Sequence, residues 1–302
     1  MVDFPIWLAF ALISPLCWAI VHVLDAFCVH EVFDFPWIGC VTSALATLCA
    51  YPILILAGLI FVEFQTPGLN LIALAIAAGF IMMLGQFFYF QSLSYSEPGI
   101  VAAYWNMLPI FLPVISFFIF GEMFTRTVYV GMTLLIFSSV SFSLLDSNLE
   151  HRWHSLALMF CAVWLQVAYF LLQKKVFEFM PVYYVFLLTM LGVITAGLMP
   201  LLTQKGRQVF KANLPKIQPA FKFILMIEVF NLAAYATSQY AISHGSPSLV
   251  AAVESSLPAY CFGLSILLYF VFGKYGEAEA KHKLTHKLSL AAIMAIGVWM
   301  VS

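Results

Sequence analysis

The chain has 302 residues, 64% of them apolar and only 9% charged, and its mean hydropathy of +1.01 lies far outside the soluble globular range, where about a quarter of residues are charged. Its 30 Phe and 13 Tyr suit lipid-facing and interfacial surfaces, and a water-soluble fold of this size could not hide so much apolar surface. A net charge of −1 gives no nucleic-acid footprint, which leaves an integral, multi-pass membrane protein.

Spanning about 30 Å of hydrocarbon takes about 20 residues of helix, and lipid forbids unpaired backbone, so each long apolar run predicts one helix. Ten such runs lie at 5–29, 36–61, 70–95, 99–120, 126–145, 154–177, 181–202, 220–243, 247–272 and 287–301. The first has no basic n-region and is too long for a signal h-region, so it is expected to stay in the mature protein. It carries Trp18, then His22 and Asp25 three residues apart on neighbouring faces. Gln65-Thr-Pro-Gly separates the second run from the third, whose Ala75 and Gly79 form a small-residue face.

A three-residue hairpin at 96–98 leads into the fourth run, with Trp105, Asn106, Pro109 and Pro113. The fifth ends at Asp146-Ser-Asn, which opens a linker over 146–153. Gln166 and Tyr169 lie in the sixth run, Gly192 and Ala196 in the seventh. In the eighth, Glu228, Asn231 and Tyr235 at i, i+3 and i+7 make one polar stripe. A second hairpin at 245–247 precedes the ninth run, where Glu254, Ser255, Ser256, Pro258 and Tyr260 follow one another. Proline removes a backbone donor, so Pro109, Pro113 and Pro258 predict bends in the fourth and ninth helices.

The halves repeat each other. The twelve residues Pro98 to Pro109 and Pro247 to Pro258 match at six positions, 149 residues apart. Val32-Phe-Asp-Phe before Pro36 is echoed by Val176-Phe-Glu-Phe before Pro181, an offset of 144. Runs one to five therefore map onto runs six to ten, as residues 1–145 and 154–302. An odd number of spans per copy makes the second copy enter from the opposite face. The expected fold is all-α: ten transmembrane helices as two inverted five-helix repeats around one midplane site.

Carboxylates at the bilayer centre cost about 2.5–3.5 kcal/mol on insertion scales, so Glu228 and Glu254 stand out as a polar pathway. The opposite reading for each is a carboxylate satisfied by a neighbouring helix, and for His22 with Asp25 an interhelical hydrogen-bonded pair. The repeat counterpart of Glu254 is Trp105 beside Asn106, so the halves diverge at this depth, as an asymmetric substrate requires. A lone buried carboxylate that takes up a proton and releases it to a cation or to water is a proton-coupling device. No Lys or Arg lies deep in any run; Lys174, Lys175 and Lys222 sit at ends. Phosphorylated substrates would need such cations, which favours amines, zwitterions or neutral amphiphiles. Trp105, Tyr235 and Tyr260 could stack on such a ligand, although most aromatics in so aromatic a chain are packing.

The six Cys lie in apolar runs without CxxC spacing and read as small hydrophobes. His282 and His286 near Glu277 and Glu279, like His151 and His154, read as solvated connectors, so neither a metal nor a cofactor is expected. Lys and Arg divide unevenly: Arg126, Lys174 and Lys175 on the termini side and ten on the other, which by the positive-inside rule puts both termini outside.

The segment Ser92-Leu-Ser-Tyr-Ser-Glu-Pro-Gly-Ile-Val-Ala-Ala-Tyr-Trp-Asn-Met-Leu-Pro-Ile-Phe, running on to Phe120-Gly121-Glu122, resembles the signature of EamA-type proteins of the drug/metabolite transporter superfamily. Helix number, duplication and Trp18 in the first helix are also similar to that family. The second copy departs from it, with Gly273-Lys274 where Gly-Glu is expected and Gly276-Glu277 displaced. The resemblance implies alternating access around a cavity lined by runs one, three, four, six, eight and nine, and cytoplasmic termini, against the charge count.

The expected function is a secondary transporter, an exporter or exchanger of a small amphiphilic metabolite such as an amino acid or amine. Glu228 or Glu254 is the coupling group, and the protein is a monomer or homodimer in a membrane expected to be the bacterial inner one. The rival readings are a lipid-modifying membrane enzyme, against which stands the lack of an Asp-rich pair, HExxH or GxSxG, and a non-transporting membrane subunit.

Overall fold

A computed structural model describes residues 5–61, 67–96, 101, 104–145, 152–272 and 284–302. Among them every regular element is helical. The helices are α1 (Ile6–Phe27, running on as a π turn, Cys28–Val32), α2 (Trp37–Phe61), α3 (Leu69–Leu93), α4 (Leu108–Phe120), α5 (Arg126–Leu145) and α6 (Arg152–Phe177). They continue as α7 (Val182–Gly197, then a 3-10 turn Met199–Leu202), α8 (Gln204–His244), α9 (Pro247–Glu254), α10 (Leu257–Phe272) and α11 (Leu284–Val301). Six are long and apolar enough to cross a membrane: α1 with its π turn, α2, α3, α6, α8 and α11. The breaks expected at Gln65-Thr-Pro-Gly, Glu97-Pro-Gly and Asp146-Ser-Asn lie wholly or partly outside the described residues, as do His151, Gly273-Lys274, Glu277, Glu279 and His282.

Two expected boundaries move. The eighth run, predicted to start at 220, begins at Gln204 and makes a 41-residue helix with Pro215 and Pro219 inside it. Thr203 caps its start by accepting from the Gly206 N–H at 3.0 Å, and Asn213 donates to the Val32 carbonyl at 3.2 Å and to Asp34 at 2.8 Å. Caps and tertiary bonds thus offset the amide donors that the two prolines remove. The helix of the tenth run, α11, already includes Leu284, ahead of the expected 287, and buries Lys287 completely, with its ammonium 5.4 Å from the Phe262 ring centre.

The ninth run is two helices. Ser255 and Ser256 form a turn between α9 and α10, just before Pro258. The fourth run breaks in the same way, at Asn106 and Met107 before Pro109, and the two turns are 149 residues apart. A proline at that point cannot donate to the carbonyl four residues back. Side chains satisfy neighbouring carbonyls of the turn in the second copy: Ser139 on α5 donates to the Ser255 carbonyl at 2.5 Å, and Ser255 and Ser256 donate to the carbonyls of Ala252 and Val253.

The helices pair off. α1 runs along α8, α3 lies against both α6 and α7, α5 packs on α11, and α4 meets α9. The small-residue faces expected on the third and seventh runs pack against each other: a Cβ at Gly79 would strike the Thr189 carbonyl, and one at Gly192 the Ile76 carbonyl. Ala75 and Ala196 beside them are fully buried. Without a hydrophobic drive between helices in lipid, this backbone-level approach supplies the van der Waals contact that holds α3 to α7.

Candidate functional site

Nine helices, α1–α4 and α6–α10, and the turn before α4 converge on one cavity, and five of the helices supply most of its polar wall. From α1 come Trp18, His22 and Asp25, which follow each other at i, i+4 and i+7 and so share a face. Asn231, Tyr235 and Ser238 repeat that spacing on α8, which lies alongside. Gln86 and Tyr89 enter from α3, Gln166 and Tyr169 from α6. The two helix breaks bring Trp105 and Asn106 from one side and Glu254 and Ser255 from the other. Breaking a helix at this depth is tolerated where the backbone lines a cavity, which places the breaks and the polar wall together.

The carboxylates are held by hydroxyl donors from other helices. Ser14 on α1 donates to Glu254 Oε1 at 2.8 Å, and Ser238 also hydrogen-bonds this carboxylate. Tyr89 donates to Asp25 Oδ2 at 3.4 Å. Glu228 stands behind the wall at 3% exposure, accepting from Ser43 at 2.8 Å, Thr47 at 2.5 Å and Asn231 at 3.5 Å. A buried charge survives only with such partners. Among the described residues, no Lys or Arg lines the cavity.

Rings shape the remaining wall. Trp18 meets Tyr235 edge-on at 4.7 Å between centres, and Tyr89 lies 5.1 Å from the His22 ring and 6.1 Å from Trp105. Tyr169 accepts a 3.3 Å hydrogen bond from Gln239. Two buried polar atoms on the wall, His22 Nδ1 and Gln166 Oε1, have no hydrogen-bond partner.

Of the residues singled out from the sequence, His22, Asp25, Trp105, Asn106, Gln166, Asn231, Tyr235 and Glu254 line this cavity, and Glu228 lies one layer behind. Tyr260 does not join them. It lines a separate apolar pocket with Leu16, Ala259, Gly263, Leu264 and Leu267. Sequence reasoning passed over Gln86, Tyr89, Ser43 and Ser238; the one available signal was Gln86, an amide within an otherwise apolar stretch of the third run.

A second polar cluster sits at the end of α4. Gly121, with φ of 68°, ends that helix in the left-handed conformation glycine tolerates, and Glu122 follows. One oxygen, Glu122 Oε2, accepts from Ser116 at 2.7 Å and from Ser246 and Ser248 at 2.9 Å each. Lys174 at the end of α6 donates to the Gly245 carbonyl at 2.9 Å. The α8–α9 hairpin is thereby tied to both halves of the chain.

Residues 5–144 match the EamA-like transporter family. Among solved structures, one described as "Crystal structure of protein" is similar over 95% of this chain and 96% of its own, with a TM-score of 0.64 at 13% identity, a likeness of fold alone. No curated protein sequence matches the chain.

Proposed function

From the match of residues 5–144 to the EamA-like transporter family we propose that this multi-pass membrane protein is a member of the drug/metabolite transporter superfamily, a secondary transporter of a small organic cation or zwitterion, an amine or amino acid. The observation that carries the substrate class is the cavity wall: Asp25 and Glu254 face it from different helices, aromatic rings surround it, and among the described residues no Lys or Arg does. Anionic substrates would meet carboxylates with nothing to offset their charge, whereas a cation gains both Coulombic attraction and ring contact.

The transport cycle is alternating access between two inverted five-helix repeats. Two observations support that reading. The helix breaks at Asn106 and Ser255 recur at the 149-residue spacing of the sequence repeat. Exchanging the halves also turns the α1 and α8 pair into the α6 and α3 pair, both closely packed. Glu254, on the wall and hydroxyl-bonded, is the coupling group that trades a proton for the substrate cation. In proteoliposomes, uptake of a labelled primary amine should rise severalfold under an imposed pH gradient. Uptake that is indifferent to the gradient removes proton coupling, and no uptake of any cation removes the substrate class.

A further inference from the structure

We infer that the cavity selects cations that carry N–H groups, primary ammonium or guanidinium, over fully alkylated ammonium of the same size, with Gln166 and His22 as the selecting residues. This rests on the cation reading above and narrows it.

A carboxylate and a ring attract any organic cation, methylated or not, so they supply affinity without this distinction. Hydrogen-bond bookkeeping supplies it. The hydroxyls that reach the wall carboxylates already donate: Ser14 to Glu254 and Tyr89 to Asp25. What the wall leaves without a partner in burial is Gln166 Oε1, an amide oxygen that can only accept, and His22 Nδ1, which accepts when the ring proton is on Nε2. His22 is 93% buried, with its ring 5.1 Å from that of Tyr89 and Asp25 one turn on, so no side chain of the wall fills its acceptor. A buried acceptor left empty is costly, and a ligand that fills it is favoured over one that does not. An ammonium has three donors: one suits a wall carboxylate and two remain for Gln166 and His22. A trimethylammonium has none and leaves both acceptors bare. Sites built to hydrogen-bond a ligand N–H reject the analogue lacking it much more strongly than an apolar pocket rejects an extra methyl.

The test uses the full-length chain in proteoliposomes with three probes built on a six-carbon chain: hexylammonium, hexyltrimethylammonium and hexanoate. Thermal-shift titration should give hexylammonium at least about tenfold tighter binding than the trimethylated cation, the difference one buried hydrogen bond makes. Gln166→Met and His22→Phe should each narrow the gap, and combined in one protein should bring the two cations within about threefold by weakening hexylammonium alone. Equal binding of the two cations by the unaltered protein overturns this inference and leaves the cation path standing, as does a preference that survives both substitutions. Binding of hexanoate and neither cation overturns the cation reading as well.

Discussion

Ser14 on α1 donates a 2.8 Å hydrogen bond to Glu254 on α9, joining residues 240 apart in the chain across the two sequence repeats. Glu254 is the last residue of α9, so this bond fixes the carboxylate at the mouth of the helix break. Ser14→Ala leaves the carboxylate with one fewer donor and should cost about 1–3 kcal/mol of stability, read by denaturant unfolding in detergent. Ser14→Thr, which keeps the hydroxyl, should recover most of it. Equal losses for both variants would mean the effect is steric.

Thr47 and Ser43 on α2 hold Glu228 on α8. Thr47→Val keeps the shape and removes the donor, so a buried charge loses a partner; the expected loss is about 1–3 kcal/mol. Pairing it with Glu228→Gln should be less than additive, because the amide no longer demands a strong donor. A double-mutant cycle with no coupling would show that Thr47 and Glu228 act separately.

Glu122 gathers Ser116, Ser246 and Ser248 on one oxygen. Glu122→Ala should release the α8–α9 hairpin from α4, and hydrogen exchange at residues 244–248 should speed by about tenfold or more. Ser246→Ala with Ser248→Ala should do the same without touching α4. Unchanged exchange in both variants would show that the hairpin is held by other contacts, such as the Lys174 bond to the Gly245 carbonyl.

Asp34, on the connection between α1 and α2, bonds Lys216 and Asn213 of α8. The Lys216 hydrogen bond comes first in holding its carboxyl below the ordinary value of 3.8. A depressed carboxyl contributes stability above its ordinary pKa and loses it as pH falls through the lowered value. Hydrogen exchange around residues 32–36 should therefore quicken as pH drops below about 4, after correction for the intrinsic rate. Lys216→Gln should flatten that dependence; a slope left intact would assign it to another group.

The polar stripes were legible in the sequence because ionisable and amide side chains are few inside the runs of so apolar a chain. Glu228, Asn231 and Tyr235 at helical spacing, and His22 with Asp25, needed only the 3.6-residue period to be placed on faces. Proline chemistry predicted bends at Pro109, Pro113 and Pro258, whereas the structure interrupts both runs, at Asn106–Met107 and at Ser255–Ser256, a few residues before Pro109 and Pro258. Tyr260 was misleading because aromatic residues are everywhere: nothing local distinguishes one facing a cavity from one lining the apolar pocket with Leu16 and Leu267. Tyr89 was missed for the same reason. The early start of α8 was hidden by Pro215 and Pro219, which locally argue against helix, while the Asn213 bonds that hold it come from residues some 180 positions away. The burial of Lys287 is set by packing in the same way, as it lies at the end of a run, where lysine is expected to reach water.

The account turns on the cavity being the path of a cation past Glu254. Uptake of labelled hexylammonium into proteoliposomes by the unaltered protein and by Glu254→Gln tests it directly. The substitution keeps size and hydrogen bonding while removing the charge, and uptake should fall by at least tenfold, with thermal stability within about 1 kcal/mol of the parent. Uptake that persists at the parent rate in a folded Glu254→Gln protein would contradict the account.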